Sequence, residues 1–165
     1  MNRTLVTLML PACLFVTQAF GADQSTPEER SRLVNIAKQL ESDPAAPALH
    51  SDRDWAIKFL IQAPDVHVVL CAEATNFLLK KKHYKYAPDL MALATIEGGR
   101  FDIEHPKQPD AAQAKAMVEG ALKGYEALLK SDPKAQLKEA DEMLAKRDTG
   151  QLDAYFVGAC TNKSN

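Results

Sequence analysis

The chain has 165 residues, of which 46% are hydrophobic and 25% charged, and its formal net charge is −2. This is one domain's worth of sequence, long enough to bury a real core. The near-balanced charge leaves no electrostatic case for nucleic acid or an anionic membrane surface as partner.

The first 21 residues read as a secretory signal peptide. Arg3 supplies the positive n-region, Leu5 to Val16 the apolar stretch, and Ala19 and Gly21 the small residues before a cleavage point. The alternative is a lipid anchor through Cys13, since Leu10-Pro-Ala-Cys13 loosely resembles a lipoprotein signal. The helical domain then spans residues 22–165, and no second apolar run is long enough to span a membrane. Export leaves Cys71 and Cys160. An even pair in an oxidising compartment predicts one disulfide, against the alternative of two buried thiols.

The first helix starts at a capping box, with Thr26 as N-cap, Pro27 in the first position and Glu29 three residues on. Leu33, Ile36, Ala37 and Leu40 form its apolar stripe, and the prolines of Asp43-Pro-Ala-Ala-Pro47 end it. The stretch from Arg53 to Leu79 is expected to supply the middle of the core as two helices hinged at Pro64. Ser51 and Asp54 open the first of these, with Trp55, Phe59 and Leu60 on one face. The second runs from Asp65 through Val66, Leu70, Ala74, Phe77 and Leu78, and Val66, Val68 and Val69 are the argument against it.

Pro88 and Asp89 open the next helix, carrying Leu90, Met91, Leu93, Ala94 and Ile96. Gly98-Gly99 would normally stop it, but Phe101 continues the spacing of Leu90, Ala94 and Glu97, which extends the helix to about Ile103. Asp110 starts the longest helix, whose stripe is Ala114, Met117, Val118, Ala121, Leu122, Tyr125, Leu128 and Leu129. Gly120 and Gly124 sit beside that stripe, where glycine lets a neighbour's bulky side chain approach. Ser131-Asp-Pro-Lys134 turns into a helix with Leu137, Ala140 and Leu144 inward, and Thr149 is expected to cap a last helix carrying Leu152, Tyr155, Phe156 and Cys160. The fold class is therefore all-α, a compact single-domain bundle of six or seven helices, kinked or broken at Pro64.

Chemistry is sparse. Of His50, His67, His83 and His105, only His67 stands at helical spacing from a cysteine, Cys71. No second ligand pair accompanies them, so no metal and no cofactor are expected. The same two residues define the alternative reading, a periplasmic hydrolase or thiol enzyme using His67 and Cys71. Phosphate-binding, dinucleotide and serine-elbow motifs are absent. The most distinctive polar feature is Lys80, Lys81, Lys82, His83, Tyr84, Lys85 and Tyr86. Basic groups interleaved with aromatics suit an anionic glycan, a phosphate or an acidic partner surface, and otherwise form a helix end with its tyrosines on the core.

Arg53-x-Trp55-Ala56, Ala63-Pro-Asp-Val66-x-Val68-x-x-Cys71, Lys85-Tyr86 and Lys146-Arg-Asp-x-Gly-x-Leu152 together resemble a family of exported bacterial helical proteins of unknown function. That resemblance implies no activity, cofactor or site. In size, helicity, export signal and two cysteines the chain is more distantly similar to periplasmic immunity proteins that block cell-wall amidases. The expected function is a non-enzymatic binding module for an unknown protein partner, in the envelope or outside the cell.

Overall fold

A computed structural model describes residues 24–160. The expected export signal, Cys13 and the expected fraying of 161–165 lie outside the described residues. The architecture is all-α: α1 (Pro27–Ser42), α2 (His50–Gln62), α3 (Asn76–Leu79), α4 (Ala87–Glu104), α5 (Asp110–Ser131), α6 (Lys138–Asp148) and α7 (Leu152–Cys160), joined by three short 3-10 turns, with no strand among the described residues. No described helix is long and apolar enough to cross a membrane.

The entry to α1 is the expected capping box. The Glu29 N–H donates to Thr26 Oγ1 at 3.2 Å, and the Thr26 N–H donates to Glu29 Oε2 at 2.9 Å, which satisfies two of the helix's orphan donors. Entry to α2 differs from expectation. A 3-10 turn at Pro47–Leu49 runs directly into His50, and no side chain caps the helix. Thr149 also acts differently. Its hydroxyl donates back to the Ala145 carbonyl at 2.8 Å, so it closes α6 instead of opening α7.

The core centres on α4 and α5, not on Arg53–Leu79. One buried cluster surrounds α5, joining Tyr125, Leu122 and Val118 to Leu90 and Ala94 of α4, to Leu137 and Met143, and to Leu152 and Phe156 of α7. The other lies across α4, where Leu93 and Ile96 meet Leu33, Ile36 and Leu40 of α1 and Phe59 of α2. Each large apolar side chain taken fully out of water stabilises the fold by roughly 2 kcal/mol, and α4 gains on two faces. That explains why Gly98-Gly99 does not stop it. A Cβ at Gly99 would collide with Leu60, and one at Gly98 would stand 3.0 Å from both Met117 Cγ and Val68 Cγ1. The glycines cost about 1 kcal/mol each in helix propensity, which this close packing offsets. Trp55 takes an edge position, stacked on Phe59 at 5.3 Å with the Arg32 guanidinium 4.0 Å over its ring.

Pro64 ends α2 as expected, but no helix starts at Asp65. Val66 to Cys71 form an irregular strap, and only a 3-10 turn at Ala72–Ala74 and the single turn of α3 follow it. The β-branched residues that argued against helix here had the better of it, because the strap finds partners elsewhere. Gln113 of α5, 4% exposed, accepts from the Val69 N–H at 2.6 Å and donates to the carbonyls of His67 at 2.7 Å and Gly98 at 3.0 Å. Asp102 accepts from the His67 N–H at 2.9 Å. Asp65, expected in a helical first turn, instead accepts from the Ser25 N–H at 3.0 Å and pairs with Arg30, tying the end of α2 to the start of α1.

Tyr125 shows how the longest helix sets its neighbour. Fully buried, its hydroxyl donates to Asp141 Oδ1 at 2.7 Å and accepts from the Leu137 N–H at 2.9 Å, where α6 begins. Burial pushes the phenol up to about 12. Tyr125→Phe keeps the ring and strands that buried N–H, so urea denaturation should show a loss of about 2 kcal/mol. An unchanged midpoint would mean that Leu137 finds another partner.

Candidate functional site

The sequence pointed to two places, and the structure treats them differently. His67 and Cys71 do not share a helix face, because the strap that carries them makes no helical turn. His67 is 78% exposed in its side chain, with Nδ1 3.9 Å from Asp102 Oδ2. The Cys71 sulfur is bonded to Cys160 of α7, with the two Cα atoms 5.6 Å apart. A disulfide sulfur is no thiolate, so the pair lacks the nucleophile that thiol chemistry requires. Among the described residues no group of three or more His, Cys, Asp or Glu is placed to hold a metal ion.

Lys80 to Tyr86 form the turn between α3 and α4. His83 has φ +60°, and the chain reverses through the bond from the Tyr84 N–H to the Lys81 carbonyl, 3.1 Å. Both tyrosines are buried and point inward. The Tyr84 hydroxyl donates to the Ala135 carbonyl at 2.7 Å, and the Tyr86 hydroxyl donates to Asp132 Oδ2 at 2.7 Å. Burial, above all, pushes the Tyr84 phenol up, while the bond from Tyr86 holds Asp132 below the usual carboxylate range. Lys85 donates to the Tyr86 hydroxyl at 3.2 Å and lies 4.6 Å over its ring, a contact that raises its own pKa. Lys81 reaches the Gln136 carbonyl at 3.4 Å. Lys80, Lys82 and His83 remain exposed. Asp132 brings Lys134 near the turn: the Lys134 N–H donates to Asp132 Oδ1 at 3.0 Å, and its charge helps hold that carboxylate ionised.

A second polar site was not singled out from the sequence. Between α4 and α5 lies a cleft of about 360 Å³, to which α7 contributes Asp153. At its base is Glu97, only 2% exposed. Its Oε2 pairs with Arg100 at 3.1 Å, and its Oε1 has no hydrogen-bond partner. Burial raises this carboxyl to about 7, against the pull of Arg100 and Lys123 and with help from Glu41 and Glu104. Glu97 reaches this depth because Gly120 faces it. A Cβ there would collide with Glu97 Cγ and stand 2.9 Å from its Cβ. The signal was present in the spacing, since Glu97 continues the apolar stripe of Leu90 and Ala94 and a glycine interrupts α5. Gly120→Ala forces Glu97 out of its rotamer near the backbone, where little can give. Thermal or urea unfolding should register about 2 kcal/mol of destabilisation, and adding Glu97→Ala should recover part of it.

Compared with known proteins, the chain matches no family model, no curated protein and no solved structure, so any functional reading rests on its own geometry.

Proposed function

We propose that this chain is an exported binding module that docks an acidic protein surface, in the envelope or outside the cell, through the turn Lys80–Tyr86. The observation that carries the reading is the anchoring of Tyr84 and Tyr86 on Ala135 and Asp132. A turn bolted at two points presents Lys80, Lys81, Lys82, His83 and Lys85 from a nearly fixed backbone, so binding orders less of the chain than a flexible basic loop would. Complementary charge raises the rate of encounter and selects the partner more than it adds affinity. The Cys71–Cys160 disulfide is compatible with an oxidising compartment.

The test is a crosslinked pull-down of the tagged protein from its native envelope fraction, read by mass spectrometry. The reading expects one stoichiometric partner whose capture weakens with salt and is lost when Lys80, Lys81 and Lys82 are all changed to Glu. Capture that ignores both salt and that triple substitution would sink it.

A further inference from the structure

In the cleft between α4 and α5 the charges are unevenly satisfied. Arg100 spends all three nitrogens on carboxylates: Nη2 on Glu97 at 3.1 Å, Nη1 on Glu41 at 3.3 Å and Nε on Glu104 at 3.6 Å. Lys123 pairs with Glu41 at 2.8 Å, and Lys115 with Asp153 at 2.8 Å and Glu119 at 3.9 Å. Every cation lining the cleft is therefore held by an acid, while one buried acid oxygen, Glu97 Oε1, is held by nothing. The missing group is a donor or a cation. An anion entering here would meet only cations already engaged.

The shape agrees. Ala112, Ala116 and Gly120 line the α5 wall and lie four apart, so they form one strip of that helix with little side chain, flanked by Lys115, Glu119 and Lys123. Phe101 and His105 also line the cleft, with ring centroids 5.0 Å apart, and the face of a Phe ring attracts a cation. A space of about 360 Å³ falls in the range of small-ligand pockets.

We propose that this cleft binds a small primary amine with a polar body, such as an amino sugar or an amino-acid amide, its ammonium group donating to the Glu97 carboxylate. Binding is noncovalent and selects the ionised Glu97, so any proton the carboxyl carries passes to solvent. The groups facing that carboxyl are Arg100 and Glu104 on its own helix, Glu41 from α1 and Lys123 from α5. Lys115, Glu119, His105 and Asp153 complete the rim. Because burial raises Glu97 to about 7, affinity for the amine rises about tenfold per pH unit below that value and falls again above about 8, where an α-amino-type ammonium loses its own proton.

The experiment is calorimetric titration of the intact domain with glucosamine and with alaninamide, each compared with its N-acetylated form. The carboxyl carbon of Glu97 is followed in parallel by NMR on glutamate-labelled protein. The expected result is binding of one or both free amines, with proton release below neutral pH and a shifted Glu97 resonance. The N-acetylated forms should bind at least about tenfold more weakly. Glu97→Gln should lose about the same factor, and Ala116→Leu should block the cleft with the acid intact. The two amines separate a sugar-directed site from an amino-acid-directed one. Equal affinity for amine and amide, or a Glu97 resonance unmoved by saturating amine in the unmutated protein, overturns the proposal whether or not the variants fold.

Discussion

Replacing Cys71 and Cys160 together by serine is expected to lower the stability of the domain by about 4 kcal/mol. The bridge spans 89 residues of sequence, and closing so long a loop removes much of the entropy of the unfolded chain. It also joins the two elements least able to hold themselves. The strap has no helix of its own and depends on Gln113 and Asp102 for its polar contacts. The nine residues of α7 are anchored by Leu152 and Phe156, and Cys160 is their last turn. Urea denaturation with and without reductant measures the difference. Hydrogen exchange should show the loss concentrated in residues 66–71 and 152–160, since local opening begins where buried contacts are fewest. An unfolding midpoint indifferent to reductant would mean that the bridge does not constrain the chain in solution.

Glu97→Gln should abolish a slope of stability against pH worth about 3 kcal/mol. The sign follows from a folded-state pKa that lies above the unfolded one. Folded, Glu97 holds its proton up to about 7; unfolded, it releases it near its ordinary value of 4.5. Between those values the folded state binds more protons, so stability is greatest on the acid side and falls as pH rises through the window. Above it the full cost of a buried carboxylate remains. Glutamine stays neutral and keeps the shape, while Arg100 retains Glu41 and Glu104 as partners. Relative to the unmutated protein, the variant should gain by about that amount between pH 5 and pH 8. Parallel stability curves would show that Glu97 is ionised at little cost, through water or a rearranged Arg100.

How much of this was legible beforehand depends on the range over which each feature is decided. The helices of the α1 and α5 type are local matters. A capping box at Thr26–Glu29, proline at the first position and an apolar stripe such as Ala114 to Leu128 depend on neighbours within a turn or two, and they predict the all-α class from sequence alone. Pairing of Cys71 with Cys160 was one of two alternatives, resting on a count of cysteines and an expected oxidising compartment, and the structure supplies the bond. The inward turn of Tyr84 and Tyr86 was one of two open alternatives, because sequence does not show that Ala135 and Asp132 lie beneath them.

The strap and Glu97 could be decided only by tertiary structure. Val66 to Cys71 carry an apolar pattern that reads as helix. Their backbone instead satisfies itself on Gln113, which lies 44 and 46 positions from Val69 and His67. Glu97 sits on an apolar stripe, but its burial and its unpaired oxygen follow from a glycine on another helix. Periodicity reports which way a side chain points. Whether a polar group there finds a partner is settled by the elements packed against it, because hydrogen bonds and desolvation act through contacts in space and not along the chain.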